Sequence, residues 1–293
     1  MAAKSPEPDD DIETIQLILE MADRFSLSPY SVRRCVDAVH SLVSEGHAQP
    51  ELARSIVALG PLVAARDLKE ELAPAIVETC RSLARSPLPQ ELRYSLATTA
   101  ARALLWMNRS DDAEAILQDA LGMDPDPVNQ IEIAMLKADV CVAEENRHLA
   151  SAILMEVLDR TRSLDGRNRL PAIRKLLAVW PKGRNTRELY RLVRELGAVA
   201  GRLPEPRRTL VLVTSLLKLA TLGERQWALE LWSQVDFERI RYSVPKRTAD
   251  RLEKVVRRAA ETLDVEYLTD DIMEETTVIH RPDDLNPEKR NKV

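Results

Sequence analysis

The chain has 293 residues, 45% hydrophobic and 30% charged, with 4% aromatics and 8 glycines. That is long enough to bury a sizeable core, and its Ala/Leu/Glu/Arg balance suits helices rather than the β-branched and aromatic alternation of strands. The net charge of −5, the acidic and proline-broken start MAAKSPEPDDD, and an apolar run (210–222) interrupted by Lys218 argue against both a secretory leader and a bilayer-spanning helix.

Residues 1–10 carry charge and proline without an apolar stripe and are expected to be disordered. Helical spacing begins at 11 with Ile12, Ile15, Leu19 and Ala22. Ser28 is the expected cap, and Pro29 the first residue, of a helix carrying Val32, Val36, Val39 and Val43, which Gly46 ends in a left-handed conformation. A second pair is predicted over 50–66 and 67–85, with a kink or break at Gly60-Pro61, where proline removes a hydrogen bond and crowds the preceding turn. Ser86-Pro87-Leu88-Pro89 is a joint, because each residue before a proline is pushed out of the helical region.

The third pair, from Tyr94 to Pro125, turns at Asn108-Arg109-Ser110, with Ser110 as the expected cap and Ala113, Leu117 and Ala120 on one stripe. A fourth pair spans 128–144 and 146–164. A fifth spans 169–180 and 185–201 about a Pro181-Lys182-Gly183 turn, and a sixth spans 205–222 and 224–235 about Gly223. A helix over 246–263 has no second member and would cap the carboxy-terminal end by covering the last apolar face. The expected organisation is therefore a helical-repeat domain over 11–264, followed by an acidic, partly disordered tail over 265–293.

The second helices align through Ala113, Ala150, Leu189 and Ala228, each followed four residues later by Leu117, Leu154, Val193 or Trp232. Ile76 and Ala38 extend the series, and two helices per period of about 38 residues is the signature of a helical solenoid. Here the chain resembles the tetratricopeptide repeat family: Ala101, Ala113, Ala120 and the closing Pro125 match the small residues and proline of one unit, and Gly223, Ala228 and Trp232 match another. The resemblance implies an all-α, right-handed helix-pair solenoid acting as a non-catalytic protein–protein interaction scaffold. It also implies that first helices line the recognition groove, through Ser95, Thr98, Arg102 and Leu105 in one unit and Leu210, Val213 and Leu217 in the other. The Lys and Asn clamp for a terminal carboxylate is not seen at these positions, so a chaperone adaptor is not expected.

Enzymatic signals are sparse, and no cofactor is expected. Asp9-Asp10-Asp11-Ile12-Glu13 and Asp270-Asp271-Ile272-Met273-Glu274 superficially fit the aspartate sets of all-α magnesium-dependent synthases, but acidic residues also favour helix amino termini. His40, His47, His148 and His280 lack zinc spacing, and the glycines stand singly rather than as a phosphate loop. Cys35, Cys80 and Cys141 are far apart and odd in number, which suits buried thiols in a cytoplasmic protein. The preference for Arg over Lys suits a GC-rich bacterial genome.

Charge is the stronger signal. From Arg160 to Arg208 there are 14 Lys or Arg against 4 Asp or Glu, whereas 110–145 holds one basic and ten acidic residues, and 261–284 one and nine. Three readings of the basic block stand: a solvated face with internal pairs, a surface for an acidic protein or peptide, and a nucleic-acid surface on which Trp180 and Tyr190 would stack bases. Its candidate partner-binding residues are Arg174, Lys175, Arg184, Arg187, Arg191 and Arg194, together with Arg102. The acidic tail is expected to dock on a partner or fold back on this block.

Overall fold

The computed structural model describes residues 8–22, 27–181 and 186–265. They form fourteen α-helices and no strand: α1 (Pro8–Ala22), α2 (Pro29–Ser44), α3 (Pro50–Ala65), α4 (Lys69–Ala84), α5 (Gln90–Trp106), α6 (Ser110–Leu121), α7 (Pro127–Ala143), α8 (Arg147–Arg160), α9 (Gly166–Val179), α10 (Thr186–Ala200), α11 (Arg207–Thr221), α12 (Arg225–Trp232), α13 (Phe237–Ser243) and α14 (Lys246–Leu263). Packing gathers them into two compact units, Met1–Asn185 and Thr186–Val293. The expectations for 1–7, for Lys182-Gly183 and for 266–293 fall outside the described residues.

In the first unit each helix packs on its neighbour in sequence, and the odd-numbered helices also pack on one another: α1 on α3, α3 on α5, α5 on α7 and α7 on α9. Helix α5 therefore meets α3, α4, α6 and α7, and its buried residues wrap most of its circumference, from Tyr94 and Leu96 through Thr98, Thr99, Ala100, Ala101, Ala103 and Leu104. On α6, Ala113, Leu117 and Ala120 are completely buried, as are Ala150 and Leu154 of α8. Pro125, which closes the α6–α7 connection, is buried too. Small side chains at these positions let the helix axes approach closely while the larger neighbours fill the interface to native density. Ile76 also belongs to the core. Ala38 is only half-buried, and Cys35 and Val39 take the core positions of α2 instead.

The turns repeat more faithfully than the helices. Between α3 and α4, α5 and α6, α7 and α8, and α11 and α12, the residue two past the first helix is left-handed: Asp67 (φ 57), Asn108 (φ 56), Glu145 (φ 60) and Gly223 (φ 84). The next residue then donates its N–H back to a carbonyl five positions earlier: Leu68 to Val63 (3.1 Å), Arg109 to Leu104 (3.0 Å), Asn146 to Cys141 (2.7 Å) and Glu224 to Leu219 (3.0 Å). This closure satisfies an orphan carbonyl and starts the second helix at once. It also moves the α6 cap from Ser110 to Arg109, which has no side-chain cap bond; the left-handed residue leaves Ser110 already inside the first turn. Elsewhere, Ser28 accepts from the Ser31 N–H as its sequence position suggests, and Gly46 ends α2 with φ 97.

No break occurs at Gly60-Pro61: α3 continues through it. Pro74 and Pro171 likewise lie inside α4 and α9. All three prolines face outward, so the carbonyls that they leave unpaired, one turn earlier, lie where solvent reaches them. For α3 the packing of α1, α2, α4 and α5 holds the helix together against a cost of about 3 kcal/mol for an interior proline.

In the second unit α10, α11 and α12 pack together, and α14 packs on α11, α12 and α13. Leu189 and Val193 of α10 and Ala228 of α12 are fully buried, while Trp232 is half-buried. Helix α14 is strongly one-sided, with Ala249, Leu252, Val256, Ala259, Ala260 and Leu263 inward and its charges outward. It does have a companion: the short α13, capped by Asp236 accepting from the Arg239 N–H, precedes it and packs on it.

Candidate functional site

The candidate recognition residues of the first unit lie on its odd-numbered helices. Arg102 on α5 donates from Nη2 to Glu132 Oε1 on α7 at 2.9 Å, and Lys175 on α9 forms an ion pair with Asp139, also on α7. Glu132 and Asp139 are seven residues apart and so share one face of α7. The two cations thus tie α7 to the odd helix on either side, and their charge is matched within the fold. Half-exposed pairs of this kind contribute about 0–1 kcal/mol each, so they set alignment more than stability. Arg174 is exposed on α9.

A hollow of about 430 Å³ opens between α6, α7 and α8 over Ile133, Ile153 and Val157. Its rim is also internally matched: Arg160 donates to Glu156 at 2.5 Å and Lys137 to Gln118 at 3.3 Å.

The basic block divides between the units. Arg174 and Lys175 lie in the first; Arg187, Arg191 and Arg194 lie in the second, all exposed on one face of α10. Arg184 lies outside the described residues. Arg194 sits 5.7 Å from the centroid of the Tyr190 ring, which packs at 4.7 Å and 41° on Trp227. Trp180 is 3% exposed. The two aromatics expected to stack bases are therefore engaged within the fold, one buried and the other leaning on Trp227.

The expected groove residues separate in the same way. Thr98 and Val213 are buried, because α5 and α11 are packed on several sides. Ser95, Arg102 and Leu105 remain half-exposed, as does Leu217. Leu210 is 42% exposed and begins an outward row on α11 that runs through Thr214 to Leu217 and Thr221. This row meets α14 in an open cleft of about 590 Å³ lined by Leu217, Thr221, Lys254, Val255, Arg258 and Thr262. Val255 is itself 38% exposed. Neither Lys254 nor Arg258 has an ion pair or side-chain hydrogen bond among the described residues, unlike Arg102 and Lys175. Sequence reasoning picked out Leu210 and Leu217 but missed α14 as the second wall, since a capping helix was expected to cover an apolar face rather than share one.

No group of three His, Cys, Asp or Glu among the described residues is placed to hold a metal ion. His40 Nδ1 lies 3.0 Å from Thr79 Oγ1 and Nε2 lies 3.8 Å from Glu78. Cys35, Cys80 and Cys141 are buried, and burial pushes the Cys80 thiol up to about 12, leaving almost no thiolate at neutral pH. No described helix is long and apolar enough to cross a membrane. No family model matches the chain, and no curated protein matches it.

Proposed function

We propose that this chain is a non-catalytic interaction scaffold of a bacterial cytoplasm, built as right-handed, tetratricopeptide-like helix pairs, which docks a protein segment in the α11–α14 cleft. The observation that carries the reading is the cleft's pairing of exposed Val255 and half-exposed Leu217 with Lys254 and Arg258, cations that have no ion pair among the described residues. Apolar contact supplies affinity, and the cations select a segment with carboxylates beside its apolar residues. The stacking of odd helices supports the repeat reading, because stacked pairs leave outward side chains free to vary without disturbing buried Ala113, Ala150 or Ala228.

The test is affinity capture from native lysate at two salt concentrations, with nuclease treatment in parallel, for the parent chain and for Val255→Asp. A fixed protein partner retained after nuclease and lost with Val255→Asp is the expected result. Recovery of nuclease-sensitive material alone would assign the exposed arginines of α10 to nucleic acid and sink the scaffold reading.

A further inference from the structure

We infer that the α11–α14 cleft is occupied in cis by the chain's own segment Asp270–Ile279. The inference rests on the docking reading of the cleft and adds the identity of its resident ligand. Three observations converge on it.

The first is chemical fit. The segment reads Asp270-Asp271-Ile272-Met273-Glu274-Glu275-Thr276-Thr277-Val278-Ile279, with four apolar side chains among four carboxylates and no basic residue. The cleft offers Leu217 and Val255 as apolar floor and Lys254 and Arg258 as cations. Helix α14 carries six Lys or Arg against three Asp or Glu. The acids Asp250, Glu253 and Glu261 share the adjacent face with Arg257, Lys254 and Arg258, and α14 keeps a cationic excess after all of them are counted.

The second is reach. Asp264 is left-handed (φ 51), and the Val265 N–H bonds to the Ala260 carbonyl at 3.1 Å, a closure that ends α14 and places Val265 three residues past Thr262, which lines the cleft. The four residues 266–269 span up to about 13 Å when extended, while the cleft runs back from Thr262 to Lys254 over about 12 Å of helix.

The third is unmet charge at the cleft itself. Lys254 and Arg258, at the edge of an apolar cleft, hold no carboxylate among the described residues. The acidic segment supplies the missing counter-charge, and tethering beside the cleft gives it an effective concentration on the order of millimolar.

Zero-length carbodiimide coupling of the full chain, followed by peptide mapping, tests this directly. An amide from Lys254 Nζ to Asp270, Asp271, Glu274 or Glu275 is expected, at a yield independent of protein concentration and reduced about tenfold by Arg258→Glu or by Ile272→Ser with Met273→Ser. In parallel, a labelled peptide of residues 266–284 should bind the chain ending at 265, which retains every described helix, about a hundredfold more tightly than it binds the full chain. Equal peptide binding by both chains, or coupling that occurs only between two copies and rises with concentration, overturns occupancy in cis. If the shortened chain ignores the peptide while Val255→Asp still abolishes partner capture, the cleft is a partner site and only self-occupancy fails. If neither measurement responds to changes in the cleft, both readings fail.

Discussion

Glu145 occupies the left-handed position of the α7–α8 turn with φ 60 and is exposed, so its effect on stability is set by backbone conformation. A non-glycine residue in that region costs about 1–2 kcal/mol. Glycine removes the strain but returns about 0.5–1 kcal/mol through the greater freedom of the unfolded chain. Glu145→Gly should therefore stabilise the protein by about 0.5–1 kcal/mol relative to Glu145→Ala, which loses the same carboxylate but keeps the strain. Gly223 is the mirror case: φ is 84, and an added Cβ meets nothing within 4 Å. Gly223→Ala then reports the same backbone quantity with opposite sign, a loss of about 1 kcal/mol. Urea denaturation followed by far-ultraviolet circular dichroism measures both, provided the slopes stay equal. Equal stabilities for Glu145→Gly and Glu145→Ala, or no loss in Gly223→Ala, would refute the equivalence of the turns.

Two further outcomes are expected. Ala113→Leu or Ala228→Leu, at positions with no exposed surface, should overpack a helix pair and cost about 1–3 kcal/mol, whereas Arg191→Ala on the exposed face of α10 should change stability by no more than about 0.5 kcal/mol; thermal melts in the reverse order would mean that the core is misassigned. Cys80 should resist alkylation at pH 8 in the native protein and react once unfolded. Because burial raises its thiol from 9.0 to about 12, the native state holds the proton more tightly than the unfolded chain does. That contribution to stability is complete below pH 9 and is lost as the pH climbs toward 12, and a Cys80→Ser chain should lack this part of the alkaline decline.

The helix pairs were readable because close helix approach demands small residues, and Ala113, Ala150 and Ala228 recur at matching places. The repeated turn was hidden for a physical reason. Gly46 and Gly223 announce left-handed residues; at Asp67, Asn108 and Glu145 the conformation is held by the N–H closure to a buried turn of the preceding helix. Thr98 and Val213 were misjudged as groove residues because a single apolar stripe describes a helix packed on one side, as α14 is, but not one packed on several sides, as α5 is. Trp180 looked available for stacking because a lone aromatic in a basic run gives no local sign of which way it faces. The expected break at Pro61 failed because its freed carbonyl falls on the outward side, a matter of rotation about the helix that the proline itself does not encode.

The packing order of the first unit also bears on how it folds. Its principal contacts reach no further than the next helix but one, so little chain must be looped out before native contacts reward the ordering. Folding should be rapid and able to begin at any pair, with growth passing from neighbour to neighbour. The same locality means that α1, which among the described residues packs chiefly on α2 and α3, opens before the middle pairs. Hydrogen exchange should therefore grade inward from that end, with protection lowest in α1 and highest in α3, α5 and α7, each of which meets four helices.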